Sequence, residues 1–208
     1  LPEHVVSADA EGVTSADIID SKPIGANVRS TVATYDGVFD DLRKLFAKTE
    51  DAKKEKLSAS DFSYNTGSLR CPTCDGTGSI SLDVQFLPDI SITCPTCGGS
   101  RYAKHAYDIK WKGKDSKGDG ISLPDILSLT AEDASTVLKG EKKIEQQLDI
   151  LNTLGIGYLT LGEATPALSG GEAQRLKLSS EMNTPQSSSV FVFDEPTIGL
   201  HPLDVRKL

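Results

Sequence analysis

The sequence predicts a mixed chain, α+β with an α/β edge. A helical body carries a small cysteine-bearing hairpin and closes on a short sheet edge. Three observations predict it. Apolar residues alternate between two cysteine pairs, at Ile80, Leu82, Val84 and Phe86 and again at Ile90 and Ile92, which is strand spacing. Ile144, Leu148, Leu151 and Leu154 fall on one helical face. Val190-Phe191-Val192-Phe193 is a short, wholly apolar run, the pattern of a strand buried on both faces.

The elements follow in chain order. Residues 1–17 are polar and acidic and read as loosely ordered; the first twenty carry five acids and no Lys or Arg. Ile18-Ile19-Asp20 is a short strand, closed by Pro23 and Gly25. From Asp36, apolar residues at Val38, Leu42, Leu45 and Phe46 predict a helix to about Lys48. The charged stretch KTEDAKKEKLSASD then leads to the first cysteine pair. The hairpin between the pairs turns near Leu87–Asp89, and residues 113–120 (GKDSKGDG) form a loop. Leu123–Leu129 reads as a short helix, and Thr130 with Asp133 as a capping pair that opens another. Glu141–Leu154 is an amphipathic helix with Gly155 past its end.

The bulk numbers bound the class. At 208 residues, 38% hydrophobic and 25% charged, the chain suits one or two domains with a real core. It shows no apolar run of membrane-span length and no cleavable leader, so no membrane is expected. Cysteines confined to two tight pairs fit a reducing compartment, the cytoplasm. A net charge of −8 weighs against nucleic acid when read as one number. Residues 101–117, however, carry six bases against Asp108 and Asp115. Such a stretch can meet phosphate, or it is a solvated charged face.

The four cysteines are Cys71/Cys74 and Cys94/Cys97, two C-x2-C pairs nineteen residues apart. A hairpin between them brings two tight turns together, each offering two thiolates. Four sulfurs make a closed tetrahedral Zn²⁺ site, structural because no position is left for water. One zinc per chain is expected. Gly76, Gly78, Gly98 and Gly99 follow the pairs, where the backbone must bend and leave N–H groups facing sulfur. A redox pair would place one C-x2-C at the start of a helix instead. CPTCDGTG also resembles the repeats of DnaJ-type chaperones, which would make the segment a protein-interaction module. Those carry four repeats, whereas this chain has two and the second departs (CPTCGGSR).

LSGGEAQR at 168–175 is the second strong signal. As local structure it is a capping box, Ser169 with Glu172. That leaves Gly170 and Gly171 unexplained, since glycine is a poor helix former. Approach of an anion to bare N–H groups at a helix N-terminus explains them. VFVFDEPTIGLHPLD follows, an apolar strand ending in Asp194-Glu195. This matches a Walker B element: Asp194 would hold Mg²⁺, and Glu195 would orient or deprotonate the attacking water. With Asp204 in the following loop, the two motifs in this order are those of an ABC-type ATPase. In that class the signature helix of one half meets ATP bound to the P-loop of the other. No G-x-x-x-x-G-K-[ST] occurs in the chain, so it reads as a segment of a longer protein, inactive as an ATPase alone.

With zinc pairs and signature both present, residues 18–208 resemble the UvrA family, specifically its C-terminal ATPase half. The likeness rests on KPIG, RSTVATYDGVFDDLRKLFA, FSYN, QFLPDISITCPTCGGSRY, LDILNTLGIGYLTLG and LSGGEAQRLKLSSEM with FVFDEPTIGLHPLDVRKL. It implies an ATP- and Mg²⁺-dependent homodimer that senses damaged double-stranded DNA in nucleotide excision repair and loads UvrB before incision. It also implies a division of the chain. Residues 1–35 and 189–208 would belong to the ATP-binding core, 36–70 and 102–188 to the helical signature domain, and 71–101 to the inserted zinc module. In the family the signature domain faces DNA, which makes Arg29, Arg101, Lys104, Lys110 and Lys112 the candidates for phosphate contact. Three departures qualify the likeness. Ser21 stands where the family has the Q-loop glutamine, Ala26 replaces an arginine, and NTPQSSS replaces a basic stretch. They fit a divergent UvrA-like paralogue, a kind associated with resistance to DNA-binding antibiotics. An ABC ATPase of transport or translation is the remaining reading, and the zinc insertion argues against it.

Overall fold

Ile19 is 3% exposed at the end of β1 (Ser15–Ile19), and the strand pairs in parallel with β6 (Ser189–Phe193), Ser15 opposite Ser189 and Ile19 opposite Phe193. Parallel neighbours need a crossover, and here nearly the whole helical body is that crossover. The computed structural model describes residues 9, 11–82, 90–113, 119–183 and 188–197. In it β6 departs from the expected burial: Val190, Val192 and Phe193 are 44%, 49% and 42% exposed, and Ile18 beside them 69%. The apolar run forms its strand, but among the described residues β1 is its one sheet partner.

The helix expected from Asp36 to about Lys48 forms from Val38 to Phe46, and a short helix that the sequence pattern did not announce precedes it. Thr31 caps α1 (Val32–Asp36) in a reciprocal box with Thr34; Gly37, at φ 90°, ends it and starts α2 (Val38–Phe46). Glycine adopts that left-handed conformation without a Cβ clash. The chain turns there, and both helices bury apolar faces in one core. Thr49 then caps α3 (Glu50–Lys54).

The hairpin between the cysteine pairs is β2 (Ser79–Leu82) against β3 (Ile90–Thr93), antiparallel with Ile80 opposite Ile92. Its expected turn and residues Val84 and Phe86 lie outside the described residues. A second ladder, β4 (Lys110–Trp111) against β5 (Ile121–Ser122), flanks the expected 113–120 loop. Strands of two residues leave too short a pattern to read in sequence.

Beyond it the expected helices form. Ser122 caps α4 (Leu123–Ser128), and Thr130 caps α5 (Ala131–Val137) by accepting the Asp133 N–H at 3.0 Å. They are followed by α6 (Lys142–Thr153) and α7 (Gly170–Met182). The core runs through all of them: Phe39, Leu42, Phe46, Ile126, Leu148, Leu151 and Leu176 are each 3% exposed or less and belong to one cluster. Each such side chain contributes about 1.5–3 kcal/mol on burial. The cysteines form a separate small cluster with Ile80. No helix among the described residues is long and apolar enough to cross a membrane.

Candidate metal centre and nucleotide-facing site

Ligand atoms of Cys71, Cys74, Cys94 and Cys97 all lie within 4.8 Å of one another. Cys71 and Cys94 sulfurs are 4.0 Å apart, Cys74 and Cys97 sulfurs 3.7 Å. No disulfide joins them. Tetrahedral zinc with bonds of about 2.3 Å puts its sulfurs about 3.8 Å apart, so the residues fit a tetrathiolate site. Their protonation agrees. Cys94 sits at about 7: burial, the largest influence, opposes ionisation, but N–H donation from Cys97 and Thr96 and the neighbouring thiols outweigh it. Cys97 is pushed up to about 12 by burial. Four thiolates this close cannot all ionise without a cation among them. The Gly78 N–H donates to Cys74 Sγ at 3.3 Å. Gly76 and Gly78 are left-handed, and a Cβ at Gly76 would meet the Tyr64 carbonyl at 1.7 Å, so the knuckle needs glycine there.

The cluster is bolted to the helical body beneath it. The Cys71 N–H donates to the Arg101 carbonyl at 2.9 Å, and Ala103 N–H to Leu69 at 2.9 Å. Tyr64 and Tyr102 pack edge to face below, their hydroxyls donating to the Arg29 and Phe62 carbonyls at 3.1 and 2.6 Å. This accounts for FSYN: Phe62 and Tyr64 are the buried floor under the cysteines.

Arg101 departs from its expected part in phosphate contact. It is 7% exposed, donates to the Val28 and Thr77 carbonyls at 3.0 Å each, and lies over the Tyr64 ring at 5.1 Å. Burial lowers its pKa below the usual arginine value. Its charge is spent as a brace inside the fold. Arg29 is also engaged, ion-paired at 3.1 Å to Asp75, which Arg70 holds from the other side at 3.0 Å. Lys104 and Lys112 are exposed, and Lys110 reaches Asp125 at 3.7 Å.

At the second site, the capping box at the start of α7 forms. The Ser169 N–H donates to Glu172 Oε2 at 2.7 Å, and the Glu172 N–H to Ser169 Oγ at 3.4 Å. Tyr158 OH donates to the other Glu172 oxygen at 2.6 Å. Burial would raise the Glu172 carboxyl, but these donors win and hold it below the usual range; partial burial and the same pairing push Tyr158 up to about 12. The N–H groups of Gly170 and Gly171 take no protein acceptor among the described residues. Gly170 has a further reason to lack a side chain: its Cβ would stand 3.0 Å from the Ser21 carbonyl.

Asp194 and Glu195 follow β6 and are exposed; Glu195 is left-handed at φ 48°. Asp204 lies outside the described residues. What joins this end to α7 is Gln174, 3% exposed. Its Nε2 donates to the carbonyls of Ile19 and Asp194, at 2.8 Å each. One turn on, Lys177 Nζ donates to the Asp20 and Lys22 carbonyls at 3.1 and 2.8 Å and to the Asp20 carboxylate at 2.5 Å; that hydrogen bond holds Asp20 below the usual carboxylate range. Sequence reading missed both residues. Their signal was polar residues at i and i+3 on a helix face that the capping box already oriented.

Known proteins share this chain's sequence and shape. It is 41% identical to UvrABC system protein A of Staphylococcus aureus strain COL over 202 residues, 95% of this chain and 21% of that protein. It superposes on the crystal structure of UvrA2 from Deinococcus radiodurans with a TM-score of 0.85, at 41% identity, covering 96% of this chain and 24% of that one. The chain belongs to the UvrA family. Other UvrA proteins match equally well: that of Thermus thermophilus at 41% over 95% of this chain and 20% of the relative, and that of Bacillus subtilis at 42% over 91% and 19%. The chain thus spans about a fifth of the length of the UvrA relatives it matches. No family model matches it.

Proposed function

We propose that this chain is the signature-bearing part of a UvrA-type ABC ATPase. The whole protein would be a dimer that couples ATP binding and hydrolysis to recognition of damaged double-stranded DNA in nucleotide excision repair, with UvrB as partner. Residues 36–70 and 102–188 form the signature domain in this reading, 71–101 its zinc module, and 1–35 with 189–208 an edge of the ATP-binding core. Cys71, Cys74, Cys94 and Cys97 would hold one Zn²⁺, which supplies rigidity and no reaction chemistry. Ser169, Gly170, Gly171 and Glu172 present a helix N-terminus to the γ-phosphate of ATP held by the partner half. Asp194 would hold Mg²⁺, Asp204 would belong to the nucleotide-binding set, and Glu195 would orient or deprotonate the attacking water.

The observation that carries this reading is the Gln174 amide, which ties the signature helix to the backbone at Asp194. A displacement of the α7 N-terminus by nucleotide is felt at the carboxylates through one buried side chain. In the full-length protein Glu195→Gln should slow hydrolysis by roughly two or more orders of magnitude while ATP binding is kept. Unchanged turnover removes Glu195 from this role.

A second reading, a UvrA-like paralogue of antibiotic self-resistance, is favoured by Ser21. It occupies the Q-loop position and its carbonyl lies against the site of a Gly170 Cβ, with no amide to offer Mg²⁺. Complementation of a strain lacking UvrA separates the two: rescue of ultraviolet survival supports repair, and rescue of antibiotic tolerance alone supports the paralogue.

A further inference from the structure

Tyr158 stands outside the core, 56% exposed, in the loop between α6 and α7. Its backbone is fixed on both sides. Ile156 and Leu159 are buried, and the Gly157 and Leu159 carbonyls accept from the Glu132 and Ala131 N–H groups at 3.0 Å each. A ring this exposed contributes little by burial. What the loop presents is the hydroxyl, which donates to Glu172 Oε1 at 2.6 Å. The other carboxylate oxygen accepts the Ser169 N–H at 2.7 Å, so both oxygens of Glu172 are engaged. Burial, the largest influence, opposes ionisation of Glu172, but the Tyr158 and Ser169 donors and the nearby Arg175 charge outweigh it. Arg175 is itself 6% exposed. Its Nε and Nη1 have no hydrogen-bond partner among the described residues, so part of its charge remains to act on Glu172 one turn back.

We infer that Tyr158 is a positioning residue for the start of α7: its hydroxyl holds Glu172 Oε1 off the Gly170 and Gly171 N–H groups and so keeps them open to the γ-phosphate of ATP. Glu172 is the one acid in the first turn of α7, and those two N–H groups take no protein acceptor among the described residues. A carboxylate free to move there is drawn to the same donors by the positive end of the helix dipole, and it repels an incoming phosphate. A carboxylate tethered at both oxygens does neither as strongly. Tyr158 acts through Glu172 and needs no contact with nucleotide. The inference rests on the signature reading proposed above and extends it to a residue outside LSGGE that no motif marks.

The test is steady-state ATP hydrolysis by the full-length protein over a series of ATP concentrations. Ser169→Ala marks the component of turnover that depends on α7. Tyr158→Phe keeps the ring and removes only the hydroxyl. It should raise the KM of that component about five- to tenfold and leave kcat within about twofold. A poorly folded variant would lower kcat instead, because fewer molecules would be active. Glu172→Gln removes the anion, while its side-chain carbonyl still accepts from the Ser169 N–H. In that background Tyr158→Phe should change KM by less than about twofold, since no carboxylate remains to be held. An unchanged KM in Tyr158→Phe, or an equal rise with and without the Glu172 charge, overturns the positioning role. Where Ser169→Ala still abolishes its component, the signature reading then stands. Full turnover in Ser169→Ala, or no hydrolysis by the wild-type protein, overturns both.

Discussion

Gln174 on α7 donates its side-chain amide to the carbonyl of Asp194, at 2.8 Å. The same nitrogen donates to Ile19 at 2.8 Å, so one buried group serves the ends of both strands of the parallel pair. Gln174→Leu keeps the bulk but takes the side-chain donor from the Asp194 carbonyl and leaves the Ile19 carbonyl only the Asp194 N–H, at 3.3 Å. The expected loss is about 1–3 kcal/mol, read by denaturant unfolding. Hydrogen exchange should show it first at the β6 amides, ahead of α6. Equal acceleration in both would mean that Gln174 stabilises the chain in general and does not tie helix to strand.

The cysteine cluster predicts about one zinc per chain by metal analysis of purified protein; none would end the tetrathiolate reading. Replacing any one cysteine by Ser removes a ligand, and in a small module most of the ordering energy comes from the metal. Residues 71–82 and 90–101 should lose exchange protection first, while α6 stays protected. The separate cysteine and helical clusters are why the two responses should part. Equal loss would argue that the hairpin is not an independent unit.

Arg101 should behave as a brace. Arg101→Ala strips donors from the Val28 and Thr77 carbonyls and the cation from the Tyr64 face. A cost of about 2–4 kcal/mol is expected, read as a fall in thermal midpoint together with weaker zinc retention. Full stability with DNA affinity alone reduced would return Arg101 to a phosphate-contacting role.

How much of this was legible in the sequence depends on the range of the interaction. The cysteine quartet and the Ser169–Glu172 box are local in spacing, and the geometry follows from that spacing. The short helix before Gly37 was hidden because five residues, Val32–Asp36, are too few to show an apolar period. The exposure of Val190 and Val192 could not be read, since an apolar run reports what a strand needs covered, not which chain covers it. Gln174, Lys177 and Arg101 act on carbonyls up to 157 residues away. Main-chain carbonyls have no sequence signature, so polar residues that serve them look like ordinary surface or, in Arg101, like a free charge.

Asp36 is a buried carboxylate at the end of α1, 3% exposed. Its Oδ1 accepts from Ser179 Oγ and from Asn183 Nδ2, and its Oδ2 has no partner. Burial raises it from 3.8 to about 6, and the Ser179 hydrogen bond only partly offsets this. An acid with a higher folded-state value holds its proton more tightly when folded. Folding is therefore penalised while Asp36 is ionised, above about pH 6. The penalty fades as pH falls through about 6 and is gone below the unfolded value near 3.8. At about pH 7.5 it amounts to about 3 kcal/mol. Asp36→Asn keeps an acceptor for Ser179 and Asn183 and removes the charge. The variant should be the more stable protein at about pH 7.5, and its advantage should shrink steadily as pH is lowered toward about 4. Gln147, whose Oε1 also lacks a partner, lines a cleft together with Asp36 and offers an acceptor to the new amide. Unfolding curves of both proteins at matched pH values decide the matter: a stability difference that stays constant from about pH 4 to about 7.5 would show that Asp36 does not titrate in this window.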